Sequence, residues 1–319
     1  MKNPYIYSNN NKRYYTQNFF LKETFGQKVI KLSLNAGFSC PNRDGNRGTN
    51  GCIFCSESHS GDFTPNKNLS ITEQLKIQKQ NLSTKWGEHL YIPYFQAGTN
   101  TYAPLEHLKK IFDEALLFEN TVGIAIATRP DCIDETLVKY LFELSKETYL
   151  TIELGLQSIH DKTLKSINRG HNYADFLKAY TLLSNYNINT CIHIINGLPE
   201  EDYNMMMQTA YEISRLNPHS IKIHMLHIIK NTMLSKKYIE NPFNLLSLEE
   251  YVNLVCDQLE VFPEKTIIQR LTGDGNKDTL IAPTWTLKKF VVLNEIDKEL
   301  ARRSSYQSNK KSLIFSHIV

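Results

Sequence analysis

Short apolar segments that resemble buried strands alternate with helix-like segments along most of the chain. The six clearest strand-like segments are 29–34, 90–96, 122–128, 149–156, 190–196 and 220–226. The predicted helices between and after them cover 70–86, 105–118, 134–145, 173–185, 201–215 and 247–262. Apolar strands that are each followed by a helix are typical of parallel sheets with right-handed crossovers. The sequence therefore predicts an α/β protein.

The predicted architecture is a full or partial TIM-type barrel of parallel strands. About six strand–helix units in succession suit such a barrel, in which functional residues lie at the carboxyl ends of the strands. A doubly wound sheet has the same periodicity and stays open as the alternative. The expected boundaries are a core over 26–262 with short extensions over 1–25 and 263–319.

Composition places the chain among ordinary globular proteins, with 41% hydrophobic and 22% charged residues. No apolar run approaches the roughly 20 residues that span a bilayer. The first fifteen residues have no apolar stretch of the kind found in signal peptides. These features predict a cytoplasmic protein with no membrane partner. The net charge of +3 permits nucleic-acid binding but does not argue for it.

Three of the six cysteines fall in one loop directly after the first predicted strand. Eleven residues separate Cys40 from Cys52, and Cys55 follows three positions later. Three cysteines leave one iron of a cubane cluster open to another ligand. A structural zinc site usually has four ligands, and the nearby His59 is poorly spaced for the fourth. A zinc site with a distant fourth ligand is the alternative. The other cysteines are expected to be core residues: Cys132, Cys191 and Cys256.

The cysteine loop resembles the cluster-binding loop of the radical S-adenosylmethionine (SAM) superfamily. The usual spacing there is CxxxCxxC, and a longer first gap like this one occurs in the Elp3-like branch. A series of motifs in order resembles the YtqA/YhcC (MnmL-type) family over nearly the whole chain: CPNRDG, GCIFC, YFQAGTNTYAP, ATRPDC, ELGLQS, INRGH, NGLPEE, HMLHIIKNT and RLTGDG.

The resemblance implies an enzyme with one 4Fe–4S cluster, bound by Cys40, Cys52 and Cys55. The cluster would pass one electron to SAM and generate a 5′-deoxyadenosyl radical. The electron would come from a donor such as flavodoxin or ferredoxin.

The resemblance also implies residues that contact SAM. Phe54 corresponds to an aromatic residue near the adenine, and a structural role in the core is the alternative. Gly98 and Thr99 correspond to the segment that receives the methionyl ammonium group, and a plain turn is the alternative there. Asn196 belongs to a motif beside the adenine, and its alternative is a helix-entry turn.

Three residues on or after the fourth predicted strand complete this set. Gln157 corresponds to a residue that hydrogen-bonds the SAM ribose, and Arg169 to the arginine that binds the SAM carboxylate. A guanidinium suits that task because it binds carboxylates bidentately. Glu153 is expected to be buried, where it would be either a cofactor ligand or half of an ion pair.

Titratable residues near the ends of the third and sixth predicted strands are candidates for contacts with the substrate. They are Arg129, His224, His227 and Lys230. A salt bridge to Asp131 is the alternative for Arg129. Arg270 and Asp274 belong to the RLTGDG motif, and the sequence assigns no role to them.

The resemblance points to tRNA as the substrate. It implies conversion of 5-carboxymethylaminomethyl-uridine at the wobble position to 5-aminomethyl-uridine. Basic and aromatic residues near the chain ends are candidate RNA contacts: Lys12, Arg13, Tyr14, Tyr15, Arg302, Arg303, Lys310 and Lys311. A radical SAM enzyme acting on a small molecule or peptide is one alternative. A non-catalytic iron–sulfur or zinc-binding regulator is another.

Overall fold

The fold was determined from a computed structural model, which describes residues 5, 12–57, 61–86 and 89–310. His59 and Lys311, which entered the predictions above, lie outside the described residues. No helix in the described part of the chain is long and apolar enough to cross a membrane.

Strands and helices alternate much as the sequence predicts. The strands are β1 Val29–Leu34, β2 Leu90–Phe95, β3 Gly123–Thr128, β4 Tyr149–Gln157, β5 Thr190–Asn196, β6 Ser220–Met225, β7 Ile228–Ile229, β8 Ile267–Arg270 and β9 Leu280–Ala282. The helices are α1 Gln17–Phe25, α2 Ile71–Trp86, α3 Leu105–Leu116, α4 Glu135–Glu147, α5 Asp161–Ser166, α6 Tyr173–Asn185, α7 Tyr203–Leu216, α8 Met233–Glu240, α9 Leu248–Val261 and α10 Lys289–Arg302.

Seven strands hydrogen-bond in the order β1-β2-β3-β4-β5-β6-β8. The pairs β1–β2, β2–β3, β3–β4 and β6–β8 are parallel. The short strands β7 and β9 form a separate antiparallel pair. This sequential strand order is the one that successive right-handed strand–helix units produce, which confirms the α/β prediction.

Capping side chains determine where several helices begin. Ser247 and Glu250 form a capping box, in which the Glu250 amide donates to Ser247 Oγ at 3.2 Å and the Ser247 amide donates to Glu250 Oε2 at 2.8 Å. Ser70 and Glu73 make the same reciprocal pair before α2. Pro104 is the N-cap residue of α3, with an extended ψ of 139°.

The chain divides into two compact units. Unit 1 comprises the described residues within 1–20, 157–167 and 192–319, and unit 2 those within 21–156 and 168–191. The predicted boundaries at 25/26 and 262/263 stay predictions.

Each unit has its own apolar core. In unit 2, Leu32, Ile92 and Ile124 on neighbouring strands have no solvent exposure. In unit 1, Val255 of α9 and Ile296 of α10 are equally buried. Burying such side chains contributes about 1.5–3 kcal/mol each, so these cores hold the strands that carry the site residues.

Candidate functional site

Backbone and side-chain hydrogen bonds fold the cysteine loop onto itself within unit 2. The amide of Arg43 donates to the Cys40 carbonyl at 2.8 Å, and the amide of Cys55 donates to the Cys52 carbonyl at 3.0 Å. Arg43 Nη2 also donates to the carbonyls of Cys55, at 3.1 Å, and Ser56, at 2.7 Å. The two ends of the loop are thereby joined. Cys52 is buried, whereas Cys40 and Cys55 are partly exposed.

The three thiols are close enough to influence one another's ionisation. Burial raises the pKa of Cys55 to about 11, and the charges of Cys52 and Cys40 act in the same direction. Arg43 and Arg169 oppose this rise. Three thiolates in one place therefore call for a strong positive charge, which is what a bound iron centre supplies.

Two nitrogen donors contact the Sγ atom of Cys52. Arg169 Nη1 lies 3.4 Å from it and Asn42 Nδ2 lies 3.8 Å from it. Asn42 also donates to the carbonyl of Asn168 at 2.7 Å, while Asn168 Nδ2 donates to the carbonyl of Gly51 at 2.7 Å. Donors of this kind stabilise a thiolate and tune a bound metal centre. The segment after α5 is thus fastened to the cysteine loop.

Gly98 and Thr99 hold the start of the cysteine loop. The φ of Gly98 is +80°, and a Cβ atom at this position would lie 2.4 Å from the Phe38 carbonyl oxygen. Only glycine fits there without moving the backbone. The amide of Thr99 donates to the Ser39 carbonyl at 3.1 Å. This turn therefore supports the segment that leads into Cys40.

Buried nitrogen atoms without hydrogen-bond partners surround this loop in the described part of unit 2. They are Arg169 Nε, Arg129 Nη1 and His171 Nε2. Arg169 Nη2 donates to the Gly155 carbonyl at 2.8 Å, so the guanidinium is only partly satisfied. Burial, with the charges of Arg169 and Arg129, lowers the pKa of His171 to about 3, so its imidazole is neutral. A buried polar group without a hydrogen-bond partner destabilises the folded state, so several such groups in one place are typical of a ligand site.

Arg129 forms the salt bridge that was the alternative to a substrate contact. Its Nε and Nη2 atoms donate to the two carboxylate oxygens of Asp131, each at 2.9 Å. Burial lowers the pKa of Arg129, but the hydrogen bond and charge of Asp131 outweigh this and raise it. Most of the guanidinium is therefore committed to Asp131.

Glu153 is half of a buried ion pair. Lys31 Nζ, from β1, lies 2.6 Å from Glu153 Oε1 on β4, and the Glu153 side chain has no exposure. Lys31 Nζ also lies 5.1 Å from the centre of the Tyr94 ring on β2. These side chains share one face of the unit 2 strands. Phe54, also in unit 2, lies in the turn between Cys52 and Cys55 and is partly exposed.

The other two predicted SAM contacts lie in unit 1. Gln157 ends β4 with a φ of +77°, a left-handed conformation that residues other than glycine rarely adopt. Asn196 makes two reciprocal amide hydrogen bonds with Gln258 of α9, at 2.9 and 3.0 Å. The Asn196 side chain therefore ties β5 to α9.

Three of the predicted substrate contacts lie in unit 1: His224 and His227, which are largely buried, and Lys230, which is exposed. The rings of His224 and His193 are 5.5 Å apart. Burial and the charge of Arg270 lower the pKa of His224 well below its usual value and that of His227 to about 4. Lys230 is exposed and donates to the carbonyl of Asp278 at 2.7 Å. Both histidines are thus neutral near pH 7.

The arrangement in unit 2 fits a 4Fe–4S cluster with SAM beside it. No group of three or more His, Cys, Asp or Glu residues among those described is arranged to hold a single metal ion. The cysteines of a cubane bind different iron atoms and need not converge on one point. The three thiols, the donors to Cys52 and the unpartnered Arg169 Nε are the observations that fit these two cofactors.

Comparison with known families identifies the class of protein. The profile described as the Radical SAM superfamily matches residues 43–212, and the Radical SAM C-terminal domain matches residues 218–302. The chain belongs to the radical SAM superfamily. It is therefore an enzyme of that type, and its cofactors are a 4Fe–4S cluster and SAM.

Individual relatives narrow the assignment to the YtqA/YhcC family. YtqA of Bacillus subtilis is 47% identical over 96% of this chain and 95% of its own length. YhcC of Escherichia coli is 36% identical over 88% of this chain and 90% of its own length. A tRNA uridine(34) acetyltransferase of Methanocaldococcus jannaschii is 26% identical over 53% of this chain and 31% of its own length.

A solved structure supports the fold assignment. Elp3 of Methanocaldococcus infernus superposes with a TM-score of 0.66 at 18% identity, covering 88% of this chain and 64% of that one. The predicted fold class, with a partial TIM-type barrel, is confirmed.

Sequence reasoning missed Asn42. It is 1% exposed and links the cysteine loop to residue 168, yet an asparagine in a polar loop gives no sign of such a contact. The sequence feature that could have indicated this contact is Gly170, the glycine of the INRGH motif. A Cβ atom at Gly170 would lie 2.7 Å from Asn42 Oδ1, so this glycine is required for close packing.

Proposed function

We propose that this enzyme modifies the wobble uridine of tRNA, converting 5-carboxymethylaminomethyl-uridine to 5-aminomethyl-uridine. The observation that carries the choice of substrate is the sequence similarity to a tRNA uridine(34) acetyltransferase over 53% of the chain. The same position of tRNA would then be the target of both proteins, through different chemistry. Membership of the YtqA/YhcC family is compatible with this substrate.

We assign the cluster to Cys40, Cys52 and Cys55. When bound, the cluster and SAM supply one-electron cleavage of SAM and a radical that abstracts hydrogen from the substrate. The protein binds and orients these groups and keeps water from them. Two observations support a role for Arg169 in binding SAM: its Nε is unpartnered, and its Nη1 lies 3.4 Å from Cys52 Sγ.

The remaining SAM contacts are assigned by resemblance. They are Phe54, Gly98, Thr99, Glu153, Gln157 and Asn196. Glu153 already has a cationic partner in Lys31, and the amide of Asn196 already pairs with Gln258. For these two residues a positioning role is better supported than direct contact. Gln157 keeps its proposed contact with the ribose, since its unusual φ is typical of functional sites.

Replacing Arg169 with alanine should weaken SAM binding about tenfold to a hundredfold. The reason is that one charge-assisted hydrogen bond to a buried group contributes about 1.5–3 kcal/mol. Calorimetric titration of the anaerobic protein with SAM measures the change. The matched control is Arg215→Ala, since Arg215 is an exposed arginine paired with Glu212. Equal SAM affinity of Arg169→Ala and wild type would contradict the assignment.

Four of the candidate RNA contacts near the chain ends form ion pairs within unit 1: Lys12 with Asp297, Arg302 with Glu299, Arg303 with Asp257, and Lys310 with Glu260. The Arg302 side chain is still 73% exposed, so its ion pair leaves it accessible to an RNA phosphate. Tyr14 is 5% exposed and cannot stack on a base. The Arg303–Asp257 pair joins the end of α10 to α9, a contact that the sequence alone did not indicate.

Purified enzyme provides the test of this function. With reductant and SAM, it should consume 5-carboxymethylaminomethyl-uridine in tRNA, produce 5-aminomethyl-uridine and release 5′-deoxyadenosine at a matching rate. Nucleoside mass spectrometry and chromatography follow the three compounds. Transfer RNA that already carries the 5-aminomethyl group is the control substrate. If SAM is cleaved but no tRNA is modified, a small-molecule or peptide substrate becomes the better proposal.

A further inference from the structure

The RLTGDG motif builds a cluster of cations around one carboxylate in unit 1. Arg270 is the last residue of β8, and Lys289 is the first residue of α10. Arg270 Nη2 and Lys289 Nζ both bind the carboxylate of Asp274, the latter at 2.9 Å. The three side chains are 27%, 40% and 39% exposed, respectively, so solvent and a ligand can reach them.

The glycine next to Asp274 lies directly against His227. A Cβ atom at Gly273 would lie 2.8 Å from His227 Cε1, and the Gly273 amide contacts Met225 Sδ at 2.7 Å. His227 Nε2 is buried and has no hydrogen-bond partner among the described residues. An imidazole nitrogen that lacks a partner is thus placed beside the loop that carries Asp274.

Two cations share a single carboxylate in this cluster, so its net charge is positive. A lysine bound to a carboxylate ordinarily has a raised pKa, yet burial and the charge of Arg270 lower the pKa of Lys289. The same two causes lower the pKa of His224 and His227, which are therefore neutral near pH 7. The positive charge thus resides on Arg270 and Lys289, with His227 as a neutral hydrogen-bonding group.

We propose that Arg270 and Lys289, bridged by Asp274 and flanked by His227, form a binding site for an oxyanion of the substrate. Asp274 holds the two cations in place until that oxyanion displaces it. An arginine and a lysine together suit a carboxylate or a phosphate. The identity of the substrate rests on the proposed function, under which the oxyanion belongs to tRNA.

Inorganic phosphate tests the site independently of RNA. It should raise the midpoint of thermal unfolding of anaerobically reconstituted wild-type protein, because a ligand that binds the folded state stabilises it. The rise should disappear in Arg270→Gln and in Lys289→Gln. It should persist in the control Lys298→Gln, since Lys298 is an exposed residue of α10 paired with Glu295. A full response to phosphate in both Arg270→Gln and Lys289→Gln would overturn the proposal.

Asp274→Asn should strengthen phosphate binding, whereas Arg270→Gln and Lys289→Gln should weaken it. Removing the internal carboxylate should tighten phosphate binding several-fold, whereas a purely structural Asp274 would leave binding unchanged or weaker. Lys289 is at the exposed start of a helix, so Lys289→Gln should fold even if Arg270→Gln does not. Circular dichroism of each variant checks that it is folded.

Unchanged or weaker phosphate binding by folded Asp274→Asn would contradict the proposal that the oxyanion displaces the Asp274 carboxylate.

Anticodon stem-loops distinguish the two sources of the oxyanion. If it is the carboxylate of the uridine substituent, Arg270→Gln should weaken binding about tenfold for RNA with the carboxymethylaminomethyl group and leave binding of aminomethyl RNA unchanged. If it is a phosphodiester, both RNAs should lose affinity and the salt dependence should fall by about one counterion. Unchanged affinity for both RNAs would contradict an RNA oxyanion. A wild type that responds to phosphate but ignores RNA would contradict the proposed function alone.

Discussion

Replacing Cys40, Cys52 and Cys55 together with alanine should abolish SAM cleavage and iron binding. Wild-type protein reconstituted under anaerobic conditions should contain about four irons with the visible absorption of a cluster. The variant should lose both, because nothing else in the loop offers thiolate ligands. Iron analysis, absorption spectra and 5′-deoxyadenosine formation measure the three effects. Each single variant should lose SAM cleavage as well.

Cys132→Ala is the matched control for the cluster ligands. Cys132 is close enough to Cys40 for their charges to interact, and burial and Asp131 raise its pKa to about 12. Cys132 lies outside the loop that carries the three assigned ligands, at the end of the short 3-10 turn Pro130–Cys132 that follows β3. Cys132→Ala should therefore keep about four irons. Wild-type protein that takes up one zinc ion and no iron would contradict the cluster assignment.

Replacing Glu153 with alanine should lower the free energy of unfolding by about 3–5 kcal/mol. The substitution removes the fully buried carboxylate 2.6 Å from Lys31 Nζ, whose side chain is only 16% exposed. Breaking such an ion pair by removing one partner destabilises the folded state by about this much. Urea unfolding of the cluster-free protein measures the change, which avoids the contribution of bound cofactors.

Two further variants show whether the ion pair itself causes the loss. Glu119→Ala removes an exposed partner of Lys79 and should change stability by less than about 1 kcal/mol. The double variant Lys31→Met/Glu153→Leu removes both charges and should recover most of the stability lost in Glu153→Ala. A fully stable Glu153→Ala variant would mean that Lys31 does not depend on this carboxylate.

Local patterns in the sequence were enough to predict the framework of the fold. The six predicted strands are present, and capping boxes begin the helices predicted to start at 70 and 247, because side-chain periodicity and capping act over a few residues. The helices α1, α5 and α8 and the strand pair β7–β9 were not predicted. Their segments are short or weakly periodic, and tertiary contacts stabilise them.

Contacts between distant residues could not be predicted in the same way. Nothing local indicates that Asn42 reaches residue 168, or that Asn196 pairs with Gln258. The neutral state of His227 depends on burial and on Arg270, which is distant in sequence. For Arg129 and Glu153 the sequence left two roles open, and the structure shows the ion pair in each case.

Nucleoside mass spectrometry of tRNA from cells with and without this protein tests the proposed function most directly. Cells that lack it should accumulate 5-carboxymethylaminomethyl-uridine at the wobble position and lose 5-aminomethyl-uridine. Wild-type protein should restore the normal pattern, and the variant without Cys40, Cys52 and Cys55 should not. Identical wobble nucleosides in both kinds of cell would contradict the assignment of tRNA as the substrate.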